Sequence, residues 1–211
     1  RSEVFVLAGE QVTALPRLGI DDEGERLVQR SLHLEGDRHL PVGQLEPAVA
    51  MRPDLVTLFT GTNDVIAPRF NADVVARDVE FMQRTLIEGG ATVLGFTLPD
   101  ISTVMPIARP IAGRVERMND ALRDASAASG AILVDFAKHS VGSDPRLWGE
   151  DRLHANSAGH ERIAAALAEA LQLPGTDDAW SHPLPTEWSQ SLRAAVVAEV
   201  RWQRDYFLPW V

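Results

Sequence analysis

Short, mainly apolar runs alternate along this chain with longer stretches whose apolar residues recur at helical spacing, and that alternation limits the fold more than any other feature. The runs at 4–8, 54–60, 91–97 and 131–135 have the length of strands. Because apolar residues dominate them without strict alternation, the strands they predict are covered on both faces, as in a parallel sheet. Between them, 72–88 and 111–129 read as helices. The first sets Val74, Val75, Val79, Met82 and Leu86 on one face, and the second Val115, Met118, Leu122 and Ala125. Gly90 and Gly130 stand where such helices stop. Asn156 is the predicted N-cap of a further helix carrying Ile163, Leu167 and Leu171. Strands separated by helices predict a three-layer α/β/α domain around a central parallel sheet.

At 211 residues and 45% hydrophobic, the chain suffices for one buried core. Its character changes after Leu173, where Pro174-Gly175-Thr176-Asp177-Asp178 reads as a linker followed by Trp180, Pro183, Pro185 and Trp188. The expected organisation is a domain over 1–173, then a linker and C-terminal amphipathic helix over 174–211 that packs on the core. Arg201 and Arg204 beside Trp202 offer a surface-binding alternative for that helix, weakened by Glu199 and Asp205. A net charge of −10 and a pI near 5.0 argue against nucleic acid as a partner. The absence of cysteine removes disulfides, thiolate metal sites and thiol nucleophiles. No apolar stretch approaches the roughly 20 residues of a membrane span. The expected compartment is cytoplasmic, with secretion after removal of a leader as the alternative. Oligomeric state is not legible.

In a parallel α/β sheet, ligands bind beyond the carboxyl ends of the strands. Gly9-Glu10-Gln11 follows the first run and Gly61-Thr62-Asn63-Asp64 the second, while Asp151-Arg152-Leu153-His154 precedes the last predicted helix of the domain. A carboxylate three residues before an imidazole suits an oriented base, and the Asn63 amide suits a donor to a developing oxyanion. His33, His39, His139, His160 and His182 lack metal-ligand spacing, so neither metal nor cofactor is expected.

Gly-x-Asn-Asp after one strand, Asp-x-x-His before a helix and the Gly-containing end of the first strand resemble the SGNH (GDSL-type) hydrolase family. Met51-Arg52-Pro53-Asp54-Leu55-Val56, Phe96-Thr97-Leu98-Pro99-Asp100 and the spacing of Asp144-Pro145-Arg146-Leu147-Trp148 to His154 look like its bacterial members. The similarity runs over about 3–173. It implies a flavodoxin-like fold with a parallel sheet of about five strands, and hydrolysis of a small-molecule ester, acyl or sugar ligand. By the same resemblance His154 matches the catalytic base, Asp151 its orienter, Asn63 the side-chain oxyanion donor and Gly36 the backbone donor.

The family's first block reads Gly-Asp-Ser, whereas this chain has Gly9-Glu10-Gln11-Val12-Thr13, with Gln11 in the serine's place and Glu10 in that of the aspartate. A primary amide offers no proton that an imidazole could remove, so the acyl-enzyme route is closed at Gln11. Thr13 and Ser31 are substitute hydroxyls, and Glu10 a substitute base or metal ligand. Three readings follow: a hydrolase using water or another hydroxyl, a catalytically silent binding module, and a non-hydrolytic reaction with His154 as proton shuttle.

Overall fold

The computed structural model of the protein describes residues 4–8, 11–15, 42–100, 102–185 and 192–208. The chain divides into two compact units, 1–99 with 110–138, and 100–109 with 139–211.

The first unit carries a five-stranded sheet. Its elements are β1 (Val4–Ala8), β2 (Gln11–Leu15), α1 (Val42–Ala50), β3 (Leu55–Phe59), α2 (Thr62–Ile66), α3 (Ala72–Glu88), β4 (Thr92–Phe96), α4 (Ala112–Ser129) and β5 (Ile132–Val134). The strand order is β2-β1-β3-β4-β5. β1, β3, β4 and β5 pair in parallel, and β2 pairs antiparallel with β1. The β2 pairing amends the expectation of a wholly parallel sheet. Only residues 9–10 separate the two strands, and so short a connection closes a hairpin, never the crossover that a parallel pair needs. The parallel sheet therefore has one antiparallel edge.

Helix boundaries follow local chemistry. The Asn71 side chain accepts from the backbone N–H of Asp73 and Val74 at 3.1 and 3.2 Å, satisfying two donors that the first turn of α3 leaves open. Val75, Val79, Met82 and Leu86 are buried with Val56, Leu58 and Val93 of the sheet and Met118, Leu122 and Ala125 of α4. Val74, expected on that face, is 40% exposed. The buried positions advance by alternate steps of four and three, and a stripe that narrow leaves their neighbour outside.

Polar groups inside this unit are matched. Gln83 is buried and donates to Ser126 Oγ at 3.2 Å, while its carbonyl oxygen accepts from Ser129 Oγ at 2.7 Å. Buried Asn119 accepts from the Leu98 N–H at 2.7 Å and donates to the Leu98 carbonyl at 2.8 Å, fixing the chain beyond β4. Asp135, just after β5, receives Arg123 through Nε and Nη2 at 2.9 and 3.0 Å, Thr97 Oγ1 at 2.8 Å and Lys138 Nζ at 3.0 Å. Burial alone would push this carboxyl up, but the donors from Arg123, Lys138 and Thr97 outweigh it and hold it down to about 2.

The second unit contains α5 (Ser157–Ala170) and α6 (Leu192–Trp202), which runs on into a π-helical turn at Gln203–Phe207. Asn156 caps α5 by accepting from the Gly159 N–H at 3.0 Å, as its position predicts. Arg162 Nη1 donates to the carbonyls of Ala179, Trp180 and His182 at 2.7, 2.6 and 3.0 Å, and Trp180 Nε1 donates to Glu169. Together they seat the turn at Asp178–Ser181 on α5. Of the segment 174–211 expected to hold the linker and C-terminal helix, residues 186–191 and 209–211 lie outside the described residues. Among the described residues, no helix is long and apolar enough to cross a membrane.

Candidate active site

Within the first unit, the carboxyl edge of the sheet gathers part of the expected site. Gln11 lies opposite Ala8, and Ala8 lies beside Phe59 at the end of β3. With strands about 4.8 Å apart, Gln11 and Phe59 have Cα atoms about 10 Å apart on the same rim. Phe59 meets Phe96 edge-on at 5.8 Å, and Phe96 stacks on Phe136 at 5.7 Å, so the ends of β3, β4 and β5 are braced by aromatic rings.

The chain leaves β3 through Gly61 at φ 105°, a left-handed conformation that costs a glycine little. A Cβ there would also lie 3.3 Å from the Met118 sulfur, so the turn packs closely on α4. This turn starts α2 and puts Asn63, exposed, in its first turn. Arg114 Nη1 donates to the carbonyls of Val65 and Ala67 at 3.1 and 2.9 Å, tying the end of α2 to α4. Asp64 beside Asn63 is partly buried, and that burial pushes its carboxyl up. Thr13 lies opposite Val6, inside β2 and back from the rim. Glu10, Ser31 and Gly36 lie outside the described residues.

The second unit brings Asp151 and His154 together. Trp148 bridges to Ala155 in antiparallel fashion, the Gly149 N–H donates to the His154 carbonyl at 2.8 Å, and the Arg152 N–H donates to the Gly149 carbonyl at 3.0 Å. Asp151 Oδ1 accepts from the backbone N–H of Leu153 and His154, each at 3.0 Å. Its other oxygen, Oδ2, lies 2.6 Å from His154 Nδ1. One carboxylate thus closes the turn with one oxygen and orients the ring with the other. Burial raises the Asp151 carboxyl, but its bonds to the His154 ring and to the His154 and Leu153 amides prevail and hold it below the usual range. An ionised carboxylate only accepts, so Nδ1 carries the hydrogen of this contact, and Nε2 is the ring nitrogen left to act as a base whenever the ring is neutral. The His154 side chain is 77% exposed, which leaves Nε2 open to a reactant.

The turn is supported from below and from the C-terminal side. Asn156 Nδ2 donates to the carbonyls of Arg146 and Trp148 at 2.8 and 3.0 Å. Gly159 admits the Leu147 carbonyl, which would stand 2.3 Å from a Cβ at that position. Arg152 sits at φ 60°, a left-handed conformation costing a non-glycine residue about 1–2 kcal/mol. Contacts from α6 hold it, with Arg152 Nη1 2.5 Å from Glu199 Oε2 and its guanidinium 4.9 Å from the centre of the Trp202 ring. Sequence reasoning missed these partners. The spacing of Glu199, Trp202 and Tyr206 marks one helix face, but no local signal says what that face meets.

The family profile of GDSL-like lipases and acylhydrolases matches residues 16–162. The chain belongs to that family. A GDSL lipase of Mycobacterium tuberculosis is 36% identical over 64 residues, which span 30% of this chain and only 28% of that relative. Among solved structures, TesA matches with a TM-score of 0.51 at 20% identity, covering 62% of this chain and 69% of TesA. An acetyl-xylooligosaccharide esterase from Geobacillus stearothermophilus gives 0.51 at 17% identity, over 63% of this chain and 66% of the esterase. A GDSL-like lipase from Bacteroides thetaiotaomicron gives 0.51 at 18%, over 60% of this chain and 66% of the lipase. These structures share the fold of the GDSL family chain described here. The family match begins after Gln11 and ends before α6.

Proposed function

We propose that this GDSL-family chain hydrolyses a small ester or acyl compound by activating water, without an acyl-enzyme. The observation that carries the reading is the 2.6 Å contact between Asp151 Oδ2 and Nδ1 of an exposed His154. In the proposed step, Nε2 takes a proton from water as the water oxygen attacks the acyl carbon. The carbonyl oxygen becomes an oxyanion, for which the family resemblance names the Asn63 side chain and the Gly36 N–H as donors. On collapse the bond to the alcohol breaks, and the imidazolium returns its proton to the departing oxygen, giving acid and alcohol. Asp151 orients the ring and stabilises its cation without taking the proton. General-base assistance of this kind is worth about 10²- to 10⁴-fold. Residues 1–173 carry every group in this scheme, and 174–211 contribute none that reacts.

Hydrolysis of a short-chain nitrophenyl ester by the full chain tests it, with His154→Ala purified in parallel. Turnover is expected to fall by about 10²- to 10⁴-fold in the variant. Equal rates in both would reject ester hydrolysis and favour a ligand-binding protein, the reading that an amide at Gln11 suits. Gln11→Ser separates the two further. A rate rising at least about tenfold above the parent, with a burst of nitrophenol, would mark Gln11 as the vacant nucleophile position.

A further inference from the structure

We infer that the C-terminal helix positions the Asp151–His154 pair, with Trp202 and Glu199 as positioning residues for the proposed reaction. Three consecutive turn residues are each met by one face of this segment. Tyr206 Oη donates to Glu150 Oε2 at 3.0 Å, Trp202 Nε1 donates to the Asp151 carbonyl at 2.9 Å, and Glu199 receives Arg152 Nη1 at 2.5 Å. Reading up the turn from 150 to 152 means reading down the helix from 206 through 202 to 199. The wider step lies across the π-helical turn at Gln203–Phe207, an irregularity common at functional positions.

Trp202 is the centre of this arrangement. It is 5% exposed, its ring lies under the Arg152 guanidinium, and Phe207 stacks on it at 5.9 Å. Its N–H binds the backbone of the residue whose carboxylate orients His154. Arg152, next in the chain, holds a left-handed backbone that a non-glycine residue avoids unless its surroundings impose it. The helix supplies those surroundings as an ion pair and a stacked ring. Among the described residues, the Asp151 carboxylate bonds within its own turn, to Leu153 and His154, while Asn156 holds the base of that turn and the helix meets its tip. The segment lies outside the residues that the family profile matches, 16–162.

The inference rests on the Asp–His reading above, and one measurement separates the two. In full-length protein labelled with ¹⁵N-histidine, the ring nitrogens of His154 report which one carries the hydrogen. The parent is expected to show Nδ1–H at mildly alkaline pH. Trp202→Phe keeps the stacked ring and removes the donor, and Glu199→Gln removes the charge facing Arg152. Both are expected to fold and to shift His154 toward the Nε2–H form that an untethered imidazole prefers. Where the parent turns over ester, kcat should fall about tenfold with KM little changed, as for a modest loss of orientation. A helix that only adds stability would lower the unfolding midpoint and leave the tautomer alone. Nδ1–H persisting in both variants overturns the inference while sparing the Asp–His reading. Nε2–H already present in the parent overturns both. Should Trp202→Phe fail to fold, Glu199→Gln decides, because that pair is partly exposed.

Discussion

Asp135 and Asp151 are both aspartates held below the ordinary carboxylate range, yet they are held by opposite kinds of neighbour. Asp135, with 10% of its side chain exposed, faces Arg123, Lys138 and Thr97. Its charge is neutralised by permanent cations, and its partners lead on only to Asp120 and the Ala137 N–H, groups with no open reactive end. Asp151, with 34% exposed, has two backbone amides and one imidazole. Its hydrogen bond passes through a ring whose far nitrogen stands in solvent. The first arrangement is complete in itself and serves the fold. The second ends in a ring nitrogen open to solvent. The comparison teaches that a lowered carboxylate is a poor marker of function until its partner is known to have a second, open end.

The sharpest way to break this comparison is to neutralise each carboxylate in turn. Asp151→Asn should cut ester turnover by about 10²- to 10³-fold, since an amide no longer fixes the ring tautomer, with little change in the urea midpoint. Asp135→Asn should do the reverse, losing about 2–3 kcal/mol in urea unfolding because Lys138 loses its carboxylate and Arg123 is left with Asp120 alone, while turnover per folded molecule is kept. A stable, inactive Asp135→Asn protein would undo the distinction.

Titration sharpens it. A folded carboxyl at about 2 against an ordinary 3.8 stabilises the native state by about 2 kcal/mol. Because the folded value is depressed, that contribution is whole above pH 4 or so, and is lost as pH falls toward about 2. Urea midpoints between pH 5 and pH 2.5 should fall less steeply in Asp135→Asn than in the parent. The smallest effect belongs to a purely local contact in the same unit. Asn71→Ala should cost about 1 kcal/mol of unfolding free energy by removing the α3 cap, with no effect on the pH slope. A loss well beyond that would mean Asn71 braces more than its helix.

Much of this was legible from residue order. The four apolar runs are strands, Asn156 caps α5 and Gly130 ends α4 at φ 84°. Asp151 reaches His154 because a side chain three residues upstream folds back over a turn, and that bond closes within the motif. The edge strand beginning at Gln11 was not seen, because a run with mixed polar residues signals a strand only once a neighbour pairs with it. Val74 was misplaced because a helical stripe has a width that spacing does not state. The site was legible as residue types and as one local pair, but the partners of Arg152 were not.

Sequence alone determined what closes within a few residues, namely the caps, the glycine stops, the positions of four strands and the Asp–His turn. There the chain between partners is short and the entropy of closing it small. Only the tertiary structure decided that Gln83 finds Ser126 and Ser129, that Asp135 is shared by Arg123 and Lys138, and that Trp202 meets the Asp151 carbonyl from fifty-one residues away. Contacts of that span depend on packing the elements first. A helix face spelled by Glu199, Trp202 and Tyr206 names its own chemistry, and the surface that answers it exists only once the chain has folded.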